Sequence, residues 1–446
     1  MLRLSEHQKY YPYKEDPYLV LQAHLSDWSV PCRPIYFRAN ENSVCVHVQL
    51  NVNQIHIENS YYIGLDWIRP WNMPVLVEPK VNNEQYKLNH LQMLLDALEE
   101  PENLDHLDGL MDVRFEDEWI PVSGESSIEL TPFLIVQFLM AVRAIVRKGL
   151  KKDYYRVKEN LTSKVKGKIL VGQQIRQNVV RNNLTKTVCE FQDYGLNTET
   201  NQFLKYVLQF VQVKLETSSF SNDNLIETLR FNLGAFNQVS NKPFYSFEKK
   251  ETNPFYREYN LAITLGNQLL KLMDHNLSKA SIEIQKYPPH WIDMSKLFEL
   301  YVFKKLREQF TGTDEVMYHE KVHYQEPDFL IRSAHLKAVV DAKYKPRYKS
   351  GNPSMEDARQ LSGYARLTKV YEKLAVPANE IIPVYIVYPS ALKDYSVVVE
   401  NSSEDEVAFD LETTSDSLTL FKETAKYRKS SAYQKMYMQE LDLKIK

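Results

Sequence analysis

The sequence predicts an α/β protein whose C-terminal layer of helices and strands follows a helical region and an N-terminal β-rich domain. Short β-branched runs punctuated by Pro and Asn fill residues 1 to about 80. The middle third carries apolar residues at three- and four-residue steps, the period of an amphipathic helix. From Trp291 the order becomes helix, strands, helix, strand, which describes an α/β layer. The chain has 446 residues, 43% hydrophobic and 25% charged, a balance that excludes collagen-like, low-complexity and wholly disordered classes. The expected division is 1–130, 131–285 and 286–446.

Each element has its own signal. Val44–Leu50 and Gln54–Ile57 alternate or run β-branched and read as strands. Trp67, Trp71, Tyr61 and Tyr62 could stack on bases, but aromatics are first of all packing residues, so they read as core of the β-rich domain. Leu88 to Glu100 is helix-like and ends near Pro101. Thr131 is placed to cap a helix with Pro132 in its first position, running to about Lys148, and Gly149 sits where it should stop. Residues 160–195 read as strand and loop. Asn197–Glu216 is amphipathic through Phe203, Val207, Phe210, Val211 and Leu215; further helices fit Asn224–Asn237 and Pro254–Asn276. A helix from Trp291 to about Phe310 carries Leu297, Leu300, Tyr301 and Leu306. Phe329–Ile331 and Leu336–Tyr344 read as two strands joined by a tight turn, followed by a helix over Asp357–Tyr371. Ile381–Tyr388 is an apolar strand that Pro383 either demotes or begins.

Composition narrows the function. Only 12 glycines argue against a phosphate-cradling loop, and no GxxxxGK[ST] motif is present, so the chain alone is not expected to bind a nucleotide. Neither a GxSxG elbow nor a dinucleotide fingerprint occurs. Cys32, Cys45 and Cys189 form no CxxC pair and read as reduced. The start lacks the apolar stretch of a secretory signal, and the apolar run Phe133–Val142 stops at Arg143, short of the ~20 residues of a span. A soluble, cytoplasmic protein without a membrane partner is expected. Charge is segregated: 13 acidic against two basic residues over 81–130, then 13 basic against two acidic over 143–186. The basic stretch is either a phosphate-facing surface or a solvated face. The acidic stretch is a solvated face or a docking surface for a basic partner.

The chemistry-bearing residues are Pro327-Asp328 and Asp341-Ala342-Lys343, with Glu299 on the preceding helix and Gln360 on the following one. Antiparallel pairing brings Asp328 and Asp341 to one end of a hairpin. Their carboxylates, the Ala342 main-chain carbonyl and waters suit Mg²⁺, with Mn²⁺ able to substitute. Lys343, two residues beyond Asp341, projects from the same face and can orient an attacking water and offset charge on a phosphate. Glu299 adds a third carboxylate, and Gln360 reaches the site through water or metal. His319 and His323 stand four apart with His335 following, but on strand and loop and without Cys or HExxH, so no zinc site is expected.

These segments resemble the PD-(D/E)XK nucleases and, within them, the McrC family, the nuclease subunits of McrBC-type modification-dependent restriction systems. The resemblance rests on Asp293-Met294-Ser295-Lys296-Leu297-Phe298-Glu299, Pro327-Asp328, Val340-Asp341-Ala342-Lys343-Tyr344, and Gln360 with Tyr364. Upstream, Arg147-Lys148-Gly149-Leu150, Asp153-Tyr154-Tyr155, Lys166-Gly167-Lys168-Ile169 and the segment Asn197–Lys205 also resemble McrC, so coverage is about residues 130–390. It implies a nuclease core with a mixed sheet flanked by helices, and a Mg²⁺-dependent DNA endonuclease. It also implies a McrB-like AAA+ GTPase ring as partner, contacted and stimulated through the N-terminal domain, with modified double-stranded DNA as substrate. Lys151, Lys152, Lys164, Lys166 and Lys168 would then steer DNA toward cleavage. Residues 1–130 resemble the family loosely, so no ring-contact residues carry over. Beyond 390, Ser402–Glu406 reads as a polar loop, and the tail around Lys422–Lys435 as a helix packed on the core. Two other readings stand beside this one: a non-catalytic DNA-binding or ring-activating subunit, and a repair-type nuclease that acts alone.

Overall fold

The alternation in residues 44–59 is realised as an antiparallel pair, Val44–Asn51 with Gln54–Asn59, that buries Cys45, Val46, Val48 and Ile57. In the computed structural model the described residues are 1–6, 10–11, 32–51, 54–69, 71–79, 88–123, 130–217, 223–248, 251–277, 284–312, 314–322, 325–344, 354–389, 409–411, 420–421 and 427–443. They form two units, Met1–Ile128 with Glu283–Lys446, and Glu129–Ile282. The segments expected as separate first and last domains thus contribute to one unit.

The first unit holds a five-stranded sheet in the order Leu2–Ser5, Met73–Glu78, Tyr62–Ile68, His290–Asp293, Met111–Val113. Trp291 therefore lies in a strand, not in the helix that the sequence suggests. Asp293 ends that strand and caps the helix Met294–Gln309, its carboxylate accepting from Lys296 N at 3.0 Å. Tyr62 and Trp71 pack against the core that contains Trp291, and Trp67 against a second cluster with Leu65 and Leu76, so these aromatics are packing residues.

A seven-stranded mixed sheet lies in the same unit. Its order is Val316–Tyr318, Phe329–Arg332, Lys337–Ala342, Val384–Pro389, Met436–Leu441, Tyr427–Ser430, Phe409–Leu411. The first two pairings are antiparallel, and Lys337–Ala342, Val384–Pro389 and Met436–Leu441 run parallel. Pro383 precedes the central, wholly buried strand Val384–Pro389, which its position begins rather than demotes. On one face Leu330, Val339, Val384, Ile386 and Met438 pack with Ala358, Leu361, Val370 and Leu374. Phe329 stacks against Phe303 of the helix Met294–Gln309.

Two expectations are corrected here. The helix expected over Asp357–Tyr371 is two helices, Met355–Tyr364 and Thr368–Leu374, because Leu367 is extended and redirects the chain so that Val370 and Leu374 reach the core. The described part of the tail holds a strand instead of a helix: Tyr427–Ser430 pairs antiparallel with Met436–Leu441, whose Met436, Tyr437 and Met438 are buried beside Val384–Pro389. Residues 402–406 and 422–426 lie outside the described residues.

In the second unit the helix Leu130–Lys148 already includes Thr131, which is therefore not its cap; Gly149, at φ +93°, ends it. By length and composition alone this helix could cross a membrane, a property that the buried core helix of a soluble protein shares. Most of its apolar residues are buried, and Asn232 Nδ2 donates to Leu139 O at 2.9 Å. With Glu199–Thr217, Asp223–Ala235 and Arg257–Leu277 it forms a helical body. The antiparallel ribbon Asp153–Thr162 with Lys186–Gly195 forms an arm, joined by Lys168–Ile169. A short helix, Val171–Gln174, continues as a π-turn where only strand and loop were expected. Gly167, at φ +71°, is required: a Cβ there would collide with the Glu190 carbonyl oxygen. The arm's base is pinned by Asn201 Nδ2, which donates to Lys151 O at 3.0 Å and Leu196 O at 2.8 Å.

Candidate functional site

The hairpin register pairs Phe329 with Val340, which sets Asp328 beside Asp341 at the end of the strand Lys337–Ala342. Asp328 Oδ2 accepts from Ala342 N at 2.8 Å. Lys343 Nζ lies 2.8 Å from Asp341 Oδ2 and donates to Gln360 Oε1 at 3.1 Å. Gln360 Nε2 in turn donates to Tyr364 Oη at 2.8 Å, one helical turn on. Asp328, Asp341, Lys343 and Gln360 are thus brought together as the sequence suggests.

Glu299 reaches the same place by another route. Its carboxylate is bonded to His319 Nε2, while His319 Nδ1 lies 3.1 Å from Glu326 Oε1. One oxygen each of Glu299 and Asp328 and one nitrogen of His319 lie within 4.8 Å of one another. Lys296 Nζ donates to Tyr318 Oη at 2.9 Å and stands 3.9 Å from Glu299. Sequence reasoning misses His319, Glu326 and Lys296 as neighbours of the site. It sets His319 aside with its histidine neighbours; His323 lies outside the described residues. The available signal is Glu326, directly before Pro327-Asp328, and Lys296, one turn before Glu299.

Burial and charge decide the electrostatics. Asp341 is 1% exposed. Burial, then the neighbouring Asp341 and Glu299 charges, hold the Asp328 carboxyl well above the usual carboxylate range. Burial likewise raises Asp341, though Lys343 opposes it. Burial pulls the Lys343 amine down, but the Asp341 charge and hydrogen bond outweigh it and leave it raised. For Glu299, burial acts upward, yet the His319 bond and Lys296 win and lower its carboxyl. One buried carboxylate, Asp341, and two half-buried ones, Asp328 and Glu299, crowd one place, all hard oxygen donors in a site that repels its own second charge. That chemistry fits a divalent cation such as Mg²⁺, for which Asp328, Asp341 and the Ala342 carbonyl are the candidate ligands.

On the arm, Lys151 is not a free surface charge: its Nζ pairs with Glu251 at 2.7 Å and Asp153 at 3.3 Å. Lys166 lies 3.8 Å from Asp193 and 3.9 Å from the Phe191 ring centroid. Lys152, Lys164 and Lys168 are exposed and make no ion pair among the described residues. The arm also exposes large apolar side chains, Val165, Val171, Val180 and Leu184 among them, the last two more than 70% accessible.

A mixed α/β chain with an aspartate pair, a lysine and a glutamine at one strand end is the class that fold and site define. The profile of the family described as McrBC 5-methylcytosine restriction system component matches residues 61–376, and the chain belongs to this family. No curated protein matches it. Among solved structures it is similar to a chain in the half-complex of a tetradecameric assembly of Thermococcus gammatolerans McrB AAA+ hexamers with bound McrC. That likeness has 18% identity over 99% of this chain and 94% of the other, with a TM-score of 0.38. The cryo-EM structure of the Thermococcus gammatolerans McrBC complex is similar at 16% identity, over 70% of this chain and 89% of the other, with a TM-score of 0.26.

Proposed function

We propose that this component of a McrBC restriction system is its Mg²⁺-dependent DNA endonuclease, with a PD-(D/E)XK core formed by the hairpin and its flanking helices. The observation that carries the reading is the convergence of Asp328, Asp341, Lys343 and Gln360 at one strand end. Asp328 and Asp341 would hold the cation, with Glu299 as the third carboxylate. A bound Mg²⁺ would supply Lewis-acid stabilisation of the scissile phosphate and a more acidic water. Lys343, fixed between Asp341 and Gln360, donates to the attacking water or to a non-bridging phosphate oxygen. Gln360 orients that amine, and Tyr364 orients Gln360. The missing P-loop supports a two-component machine in which a McrB-like AAA+ GTPase supplies nucleotide hydrolysis, stimulated by this chain.

The test is cleavage of methylated and unmethylated plasmid with Mg²⁺, the AAA+ partner and GTP. Cutting that needs partner, GTP and modification is expected. Cutting without partner or modification would instead favour a nuclease that acts alone, and no cutting at all a non-catalytic subunit.

The exposed lysines of the arm face DNA in this reading. Replacing Lys152, Lys164 and Lys168 by alanine should weaken DNA binding and reduce the slope of log K against log[salt] by about one for each phosphate no longer neutralised. An unchanged slope in a filter-binding titration would remove DNA from the arm. A second reading has a specific observation behind it, the exposed Val180 and Leu184, since apolar side chains on a ribbon favour a protein partner over phosphates. On that reading Val180→Asp with Leu184→Asp lowers affinity for the AAA+ partner by ~10-fold or more, measured by interferometry, and leaves the salt slope for DNA unchanged.

A further inference from the structure

His319 stands outside the residue pattern from which the endonuclease reading comes, yet three features of its surroundings concern a cation. Its Nε2 meets Glu299 in a hydrogen bond that an ion would replace, and the nearest oxygens of Glu299 and Asp328 lie with it inside a 4.8 Å span, the spread of ligand atoms around one ion. Its other nitrogen, Nδ1, is engaged by Glu326 at 3.1 Å, and this carboxylate–imidazole arrangement orients a ring so that Nε2 is the donor to a metal. The ring is positioned from its own backbone as well: His319 N donates to Asp328 O at 3.0 Å, and its φ of +51° is a left-handed conformation uncommon outside glycine. Nearby, the buried Asp341 Oδ2 meets the Lys343 ammonium at 2.8 Å, so a third carboxylate stands beside the pair.

We propose that His319 is a direct metal ligand. With Glu299 and Asp328 it supplies one nitrogen and two oxygens to a divalent ion, and Glu326 is the positioning residue that aims the imidazole. The inference rests on the reading of this place as a cation site and deepens it by naming the ion class. Mg²⁺ is satisfied by oxygen and water alone. An imidazole nitrogen gains more from a first-row transition ion, so the pocket should discriminate Mn²⁺ from Mg²⁺ where a pure carboxylate site would do so less.

The probe is Mn²⁺ added to the full chain, without DNA or partner, read by electron paramagnetic resonance and by isothermal titration calorimetry. Bound Mn²⁺ should show a directly coupled ¹⁴N in pulsed spectra, and Mg²⁺ should displace it only at ~10-fold or greater excess. His319→Gln should abolish the nitrogen coupling and lower Mn²⁺ affinity more than Mg²⁺ affinity. Glu326→Gln should keep the coupling while weakening Mn²⁺ ~10-fold, since it changes aim rather than ligation. If His319→Gln does not fold, the wild-type spectrum alone still decides. Mn²⁺ bound without nitrogen coupling overturns the inference even if Asp341-dependent cleavage is found, and no Mn²⁺ binding overturns it together with the cation site. Nitrogen-coupled Mn²⁺ in a chain that cleaves nothing supports the ligand and sinks the endonuclease reading.

Discussion

Asp341→Ala is expected to lower Mg²⁺-dependent cleavage by on the order of 10³-fold or more, since the metal-centred stabilisation it removes is worth several kcal/mol. Two losses act together: the proposed ligand oxygen disappears, and Lys343 loses the partner 2.8 Å away that holds its amine. Assembly with the partner should survive, because Asp341 is buried at the strand end and contributes no surface. Asp341→Asn separates charge from volume and should be nearly as inactive. The sign of the pH effect follows from the raised carboxyls of Asp328 and Asp341. A carboxyl raised in the folded state favours folding while protonated and loses that contribution as pH climbs above the ordinary carboxylate value. In chelator, wild-type stability should therefore fall as pH rises from the acid side, and Asp341→Asn should fall less. Denaturant melts across pH would check this, and turnover retained in either variant would remove Asp341 from the site.

How far this site is legible in the sequence depends on sequence distance. Asp328 and Asp341 belong to one hairpin, so strand period and a tight turn are enough to bring them together. Gln360 follows from the next helix. His319 cannot be placed that way, because its position depends on a left-handed residue after the short edge strand Val316–Tyr318, and no periodicity encodes that. The tail strand Tyr427–Ser430 reads as helix for a related reason. Its partner Met436–Leu441 joins the sheet by parallel pairing with residues 384–389, and parallel partners are joined by no local turn signal. Trp291 is drawn into the following helix because an apolar, aromatic start looks like either element in isolation. What decides it is pairing with residues 62–65 and 111–113, far away in sequence.

That pairing makes Trp291→Ala the substitution with the largest expected effect on stability, about 3–5 kcal/mol for the cavity left by a buried tryptophan. Trp291 is fully buried, and its Nε1 donates to Asp66 Oδ2 at 2.8 Å. Asp66 is itself 3% exposed and also bonded to Arg114 and Trp67 N, so the indole is part of a buried polar knot. Opposite it stands Gly64, where a Cβ would collide with the His290 carbonyl oxygen; the two strands approach too closely for any side chain to refill the gap from that side. Trp291→Phe keeps most of the packing and gives up the hydrogen bond, so a loss of about 1–3 kcal/mol is expected. Urea denaturation should rank the three proteins in that order, and an alanine variant within about 1 kcal/mol of wild type would contradict the packing argument. The strand of Trp291 leads directly into the Asp293 cap and the helix that carries Glu299. Loosening it should weaken cleavage even under conditions where the chain stays folded, although no residue of the aspartate pair is altered. A stable alanine variant with full activity would show that Glu299 is positioned independently of the strand.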